Sequence, residues 1–420
     1  MCGIRFIQPA HPMTRSEWGL VGLLALIQWV HIMDFMIMMP MGPLLMAQFG
    51  VSPSQMAFAV SLYAMTAGLV GLLGSHFMDR WPRRTTIIAL STLLGFTTIA
   101  CGITDHFGVF LCLRGLAGMA GGALGGAIFA AIGDGIRPAH QGKATGTVMA
   151  GFSVAAIAGI PLGMLMAHAW GCSTVFAGIG GMGLLAAGLT SVIMPPLSVQ
   201  SDATPWWQNV RMSWQTRHER HALLMIMAIA MAGFLIIPMI NPYLIHNVKL
   251  SSTMIPWVYA LGGVATLASN QWIGRAVDRW GHQRVLRIIL PLSVIPLGGI
   301  TIIPPLPMMA VLGCTTLFFV LVSGRFVPAM AVMMQAVPAH RRGRFVSLAS
   351  ALQQLGAGGA SFLSGKLVHT GAHSTQLMGY SHAGMLSVAF TVVAIGLAQY
   401  GPLNDIFDVG RSPPPPPKNS

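Results

Sequence analysis

Charge is what this chain has least of. Only 8% of its 420 residues are Asp, Glu, Lys or Arg, against about a quarter in soluble domains, which excludes an ordinary water-soluble globule. Acids are scarcer still, ten against twenty-three bases. The five cysteines, Cys2, Cys101, Cys112, Cys172 and Cys314, lie mostly within or beside apolar runs with no CxxC spacing. We assign them to packing, and no metal site is expected from them. There is no HExxH, no GxSxG setting and no sizeable soluble segment, so neither an enzyme nor a non-transporting receptor finds support, and no cofactor is expected.

What the chain has instead is apolar length. It is 54% hydrophobic with a mean hydropathy of +0.69, in long runs without the alternation that barrel strands require, so the spans are helical. Hydropathy places them near 18–45, 54–75, 85–104, 107–132, 142–168 and 170–194, then 221–246, 254–275, 285–303, 307–334, 344–368 and 382–403. The expected fold is an all-α integral membrane protein of twelve transmembrane helices. The division is a cytoplasmic N-terminus 1–17, a six-helix bundle 18–194, a linker 195–220, a second bundle 221–403 and a Pro-rich tail 404–420. Trp206, Trp207 and Trp214 suit the linker to an interfacial helix. The first span is too long for a signal-peptide core and is read as retained; Met1 and Met13 both stand as starts.

The net charge of +13 would suit nucleic acid if it were gathered on a soluble domain. It falls in short clusters between apolar runs, which is the positive-inside pattern of a membrane protein. With both termini in the cytoplasm, nineteen of the twenty-three bases lie on the cytoplasmic side. Lys249 and Lys366 fall at the opposite face, while Arg114 and Arg325 lie within spans.

Each half carries a basic loop after its second span, GSHFMDRWPRR at 74–84 and GRAVDRWGHQR at 274–284. An aspartate at a helix end beside clustered arginines can latch neighbouring helix termini. The latch candidates are Asp79, Arg80, Arg83 and Arg84 in the first copy, and Gly274, Asp278, Arg279 and Gly281 in the second. Two copies half a chain apart indicate an internal repeat. Here the chain resembles the major facilitator superfamily, whose loop motif reads G-x-x-x-D-R-x-G-R-R; the first copy departs from it at Ser75 and Pro82.

Further resemblance lies in LRGLAGMAGG at 113–122, similar to the family's R-x-x-x-G pattern with Arg114 as its arginine. GFSVAAIAGIPLG at 151–163 resembles the Gly-Pro motif of its antiporters. Independently of family, Gly159 and Gly163 permit close helix approach and Pro161 removes a helix hydrogen bond, which bends the helix. RPAHQGKATG at 137–146 and VPAHRRGRFVS at 337–347 are also alike. The resemblance implies two pseudo-symmetric six-helix bundles rocking about a midplane site.

Asp34 is the only acid deep in a span. A charge there costs about 2.5–3.5 kcal/mol on insertion scales, which points to use. His31 lies three residues earlier, on the same helical face. Asp34 can serve as a proton site or as a structural contact to a neighbouring helix. The family resemblance makes Asp34 the proton or cation-substrate site, with Arg114 as counter-charge and His31 relaying or tuning it. Arg325, close to Pro328, is expected to meet an anionic group or to gate. Gln28, Tyr63, Asn241, Gln353 and Gln354 are cavity and substrate candidates. Methionines around Asp34, among thirty in the chain, suit a pocket for varied apolar ligands.

The resulting expectation is a proton-coupled antiporter that exports a small drug-like or sugar-like organic solute by alternating access. It would be a monomer in a bacterial inner membrane, with no nucleic-acid partner. Proton-coupled uptake by symport is the alternative, since the same protonatable site serves both.

Overall fold

The structure is a computed structural model that describes residues 12–78, 81–196, 206–338, 341–371 and 376–399. Its first helix, α1 (Arg15–Met36), starts at a capping box: the Glu17 amide donates to Thr14 Oγ1 at 3.2 Å and the Thr14 amide to the Glu17 carboxylate at 2.8 Å. It does not run on to residue 45 as the apolar run suggests. Pro40 and Pro43 lack the amides that a continuous helix needs, so the chain turns over residues 37–41 and resumes as α2 (Gly42–Phe49).

The rest of the first half is α3 (Pro53–Met78), α4 (Arg83–Ile103), α5 (Phe107–Gly135), α6 (Gln141–Val154), α7 (Ile160–Trp170) and α8 (Cys172–Ile193). Between α6 and α7 the residues Ala155–Gly159 form a π-helical turn. Its cause is local: Pro161 has no amide to offer the carbonyl of Ile157, and the wider turn takes up the mismatch.

A short linker helix, α9 (Trp206–Gln215), precedes the second half, in which Trp207 and Trp214 are exposed. There follow α10 (Arg217–Phe234), α11 (Ile240–His246), α12 (Ile255–Trp280), α13 (His282–Gly299), α14 (Met308–Gly324), α15 (Phe326–Gln335), α16 (Arg342–Leu367) and α17 (Tyr380–Gln399). The expected span 221–246 is interrupted as the first one is, here around Pro238. The span expected at 307–334 breaks at Arg325, between α14 and α15. One two-residue antiparallel pairing, His369–Thr370 with Leu377–Met378, closes the turn between α16 and α17. Gly281, at φ +84°, makes the tight turn from α12 into α13 that a side chain would strain.

Among the described residues, nine helical segments are long and apolar enough to cross a membrane. The other three expected spans are occupied by α12, α13 and α16, which carry more polar residues. The helices are apolar around most of their circumference, as a multi-pass membrane protein requires.

The two halves meet along small residues. A methyl on Gly68 of α3 would sit 2.7 Å from Leu355 Cγ and 2.9 Å from the Ala351 carbonyl of α16. Gly263 of α12 packs on the π-turn, where a methyl would lie 2.8 Å from the Ala156 carbonyl. Phe35 of α1 reaches Phe234 of α10 with ring centroids 5.7 Å apart. Beyond Gly263, toward the arginine-rich end, no residue of α12 is buried.

Candidate functional site

The break in α1 builds the site. Asp34 lies two residues before the helix ends, where main-chain carbonyls lose their intrahelical partners. Arg114 of α5 meets it there: Nη1 donates to Oδ1 at 2.9 Å, and Nη2 donates to Oδ2 at 3.0 Å and to the Asp34 main-chain carbonyl at 3.1 Å. Thr98 of α4 donates its hydroxyl to Oδ1 at 2.9 Å. Asp34, Arg114 and Thr98 are wholly buried, so three helices converge on one carboxylate away from water. Such a pair persists only with good geometry and further hydrogen bonds, and both are present.

Tyr63 of α3 lies beneath the guanidinium, its ring centre 4.6 Å from Arg114 Cζ, a cation–π contact. Its hydroxyl is 3.3 Å from His31 Nδ1. Phe35 stacks on the same ring at 5.2 Å. Gly121 of α5 makes room for this cluster, because a methyl there would fall 2.5 Å from the Tyr63 hydroxyl and 2.6 Å from His31 Nδ1. The structure therefore brings His31, Asp34, Tyr63 and Arg114 together.

The Gly-Pro segment serves the same site from the other side of α1. Gly159 lies against the Met33 sulfur, and a methyl on Gly163 would sit 2.7 Å from Ile37 Cδ1. Pro161 is buried at the start of α7. These residues let α7 and the π-turn close on α1 beside Asp34.

Arg325 is equally buried but stands apart. Nη2 donates to the Ile229 carbonyl at 2.9 Å and Nη1 to the Thr391 hydroxyl at 3.5 Å. Among the described residues no carboxylate pairs with it. Asn241 donates to the Met39 carbonyl across the two halves at 3.3 Å. Gln28 is half-buried on α1 with its carbonyl oxygen unpartnered, and Gln353 and Gln354 are half-buried on α16 without hydrogen bonds among the described residues. A separate apolar pocket of about 350 Å³, lined by Phe58, Phe107, Leu111, Phe362 and Lys366 among others, touches none of the Asp34 cluster.

Of the latch candidates, Asp79 and Arg80 lie outside the described residues. Arg83 pairs with Asp134 at the end of α5 at 2.9 Å, and Arg84 donates to the Ser191 carbonyl at the end of α8. Both arginines thus tie helix ends together. In the second copy, Asp278 and Arg279 are exposed at the last turn of α12, Gly274 has open space around its α-carbon, and Gly281 makes the turn described above.

Sequence reasoning missed two acids. Glu17 binds Arg137 through both its oxygens, each at 2.8 Å, and raises the guanidinium's pKa by hydrogen bonding to it. Glu219 binds Arg341 in the same two-pronged way at 3.0 and 3.2 Å. Each acid is the third residue of its half's first helix, and each arginine belongs to the connection after the half's fourth span. The available signal was a repeated T-R-x-E, at 14–17 and 216–219.

The fold and site define a multi-pass membrane protein built of two related halves, with a charged pair sealed in its first half. The family model of the Major Facilitator Superfamily matches residues 24–361 and 222–419, and the chain belongs to that family of transporters. A chloramphenicol efflux pump of Mycobacterium tuberculosis is 24% identical over 232 residues, 54% of this chain and 55% of the pump. The chain thus spans about half the length of that relative. An uncharacterized transporter of the same type from Bacillus subtilis is 23% identical over 83% of this chain and 89% of its own. The multidrug resistance protein MdtG of Yersinia enterocolitica is 26% identical over 62% of this chain and 66% of its own.

Among solved structures, a D-xylose–proton symporter superposes with a TM-score of 0.75 at 15% identity, covering 93% of this chain and 99% of the symporter. A bacterial homologue of the lysosomal transporter Spinster, inward-facing and occupied, superposes at 0.72 and 15% identity, covering 96% of this chain and all of that one. Both likenesses are of fold.

Proposed function

We propose that this transporter exports a small organic solute in exchange for protons, with Asp34 as the proton site and Arg114 as its counter-charge. The observation that carries this reading is the wholly buried Asp34–Arg114 pair at the break of α1. Protonating Asp34 removes half of that pair and frees a guanidinium that α1, α3 and α4 must then accommodate differently. Phe35, the next residue, touches Phe234 of the second half. A change at Asp34 therefore reaches the contact between halves, and a proton can bias which side the carrier opens.

The named activities of the relatives, chloramphenicol efflux and multidrug resistance, support export of drug-like cargo. The basic connections support a bacterial inner-membrane location with both termini cytoplasmic, and membership of the family supports a monomeric carrier. The loss of burial along α12 beyond Gly263 supports a state open toward that cytoplasmic side.

The experiment is transport by purified protein in liposomes under imposed pH gradients of either sign, across chloramphenicol, cationic drugs, sugars and organic acids. Export predicts movement of at least one of these against the inward proton gradient. Movement only in the same direction as protons would make it a symporter.

A further inference from the structure

We propose that His31 and Tyr63 form the route by which a proton passes between Asp34 and the space between the halves, a role that rests on the coupling reading above. The burial pattern sets the problem. Asp34, Arg114, Thr98 and Tyr63 have no accessible surface, whereas His31 retains 8%. A proton bound for Asp34 must therefore cross the cluster, and His31 is the member that can meet it outside.

The direction of that surface follows from the helix. His31 and Phe35 are four residues apart on α1 and so share one stripe. Phe35 touches Phe234 of the second half. His31 is thus one turn further toward the arginine-rich end on the stripe that faces the other half. This is the space that the halves leave between them when they part.

From His31 the contacts lead inward. Nδ1 is 3.3 Å from the Tyr63 hydroxyl, and Tyr63 interacts electrostatically with the Asp34 carboxylate and lies beneath the guanidinium that binds it. Gly121 keeps the line clear, since any side chain there would strike both groups. The titratable and charged groups facing the line are Asp34 on α1, Tyr63 on α3, Cys101 on α4 and Arg114 on α5. Arg114 holds the Tyr63 ring beneath it, so the hydroxyl stays oriented.

The transfer balances. Water gives a proton to Nε2 of His31. Nδ1–H passes one to the Tyr63 oxygen as the Tyr63 O–H passes its own to Asp34. The net change is one proton moved from water to the carboxylate. Tyr63 is restored, and His31 is left as the other neutral tautomer, reset by exchange with water. His31 and Tyr63 are positioning and relay residues; the site that stores the proton remains Asp34.

The test reads protonation of Asp34 and so needs no substrate. In purified full-length protein, the carboxylic-acid stretch that disappears in Asp34→Asn is followed by infrared spectroscopy after a rapid pH drop. His31→Gln and Tyr63→Phe keep much of the packing, and the second keeps the ring under Arg114. Each is expected to slow the appearance of the band by about tenfold or more while leaving its final size unchanged. Added imidazole should restore the rate in His31→Ala. Unchanged rates in both His31→Gln and Tyr63→Phe would overturn the route while leaving Asp34 as the coupling site. A wild-type protein in which Asp34 never takes a proton would overturn the coupling reading and the route together.

Discussion

Arg114 and Arg325 lie on corresponding spans of the two halves, both wholly buried. Each reaches a main-chain carbonyl of its half's first span, yet among the described residues only Arg114 meets a carboxylate. The two halves have kept the cation and differ in its partner. Removing one member of a buried pair leaves the other uncompensated, which costs about 3–5 kcal/mol. Arg114→Met is therefore expected to lower thermal stability in detergent strongly, and Asp34→Asn with Arg114→Met to recover a large part of the loss. Arg325→Met removes a buried charge that no carboxylate among the described residues offsets, and should leave thermal stability unchanged or raised. A loss for Arg325→Met as large as that for Arg114→Met would mean that Arg325 has an anionic partner of its own.

The glycines around α1 and α5 make a graded prediction. A methyl on Gly122 would press on the Ala67 backbone of α3, which cannot yield without moving the helix, whereas one on Gly159 would press on the flexible side chain of Met33. Gly122→Ala is expected to cost about 1–3 kcal/mol through overpacking, and Gly159→Ala clearly less. Thermal unfolding of the two variants in the same detergent checks the order. Gly159→Ala melting below Gly122→Ala would contradict it.

At the arginine-rich end the paired acids allow a double-mutant cycle. The side chains of Glu219 and Arg341 are 2% and 24% exposed, those of Glu17 and Arg137 10% and 45%. Water screens the second pair more. The coupling measured from Glu219→Gln, Arg341→Met and their combination should exceed that from Glu17→Gln, Arg137→Met and theirs. Equal couplings would show that exposure does not set the strength of these contacts.

Much of this arrangement was legible in the sequence because the membrane makes polar residues conspicuous. Asp34 and Arg114 stand out in apolar runs, since a charge there has an energetic cost that packing cannot hide. The helical spans follow from run length in the same way. Pro40 and Pro43 mark the bend at 37–41, whereas the interruption near Pro238 was harder to read, because hydropathy does not distinguish an apolar turn from an apolar helix. His31 was placed near Asp34 by spacing on one helix. Its partner Tyr63 lies on another helix, and the meeting depends on rotations that no single-sequence pattern sets. Glu17 and Glu219 stand at helix starts and meet arginines more than a hundred residues away, a pairing that only their shared T-R-x-E setting hints at. The duplicated DRW loops drew attention to Asp79 and Asp278. In the structure, Arg83 and Arg84 tie the first loop to helix ends, and His282 of the second lies 3.3 Å from the Gln335 side-chain amide.

The most direct test of Asp34 as the coupling site is pH-driven transport in liposomes by wild type and Asp34→Asn, using whichever solute of the panel the wild type moves. Asp34→Asn retains the shape of the carboxylate but cannot take up or release a proton. It is expected to abolish accumulation driven by the pH gradient while still allowing solute-for-solute exchange, which needs rocking but no proton. Gradient-driven accumulation undiminished in Asp34→Asn would contradict the assignment.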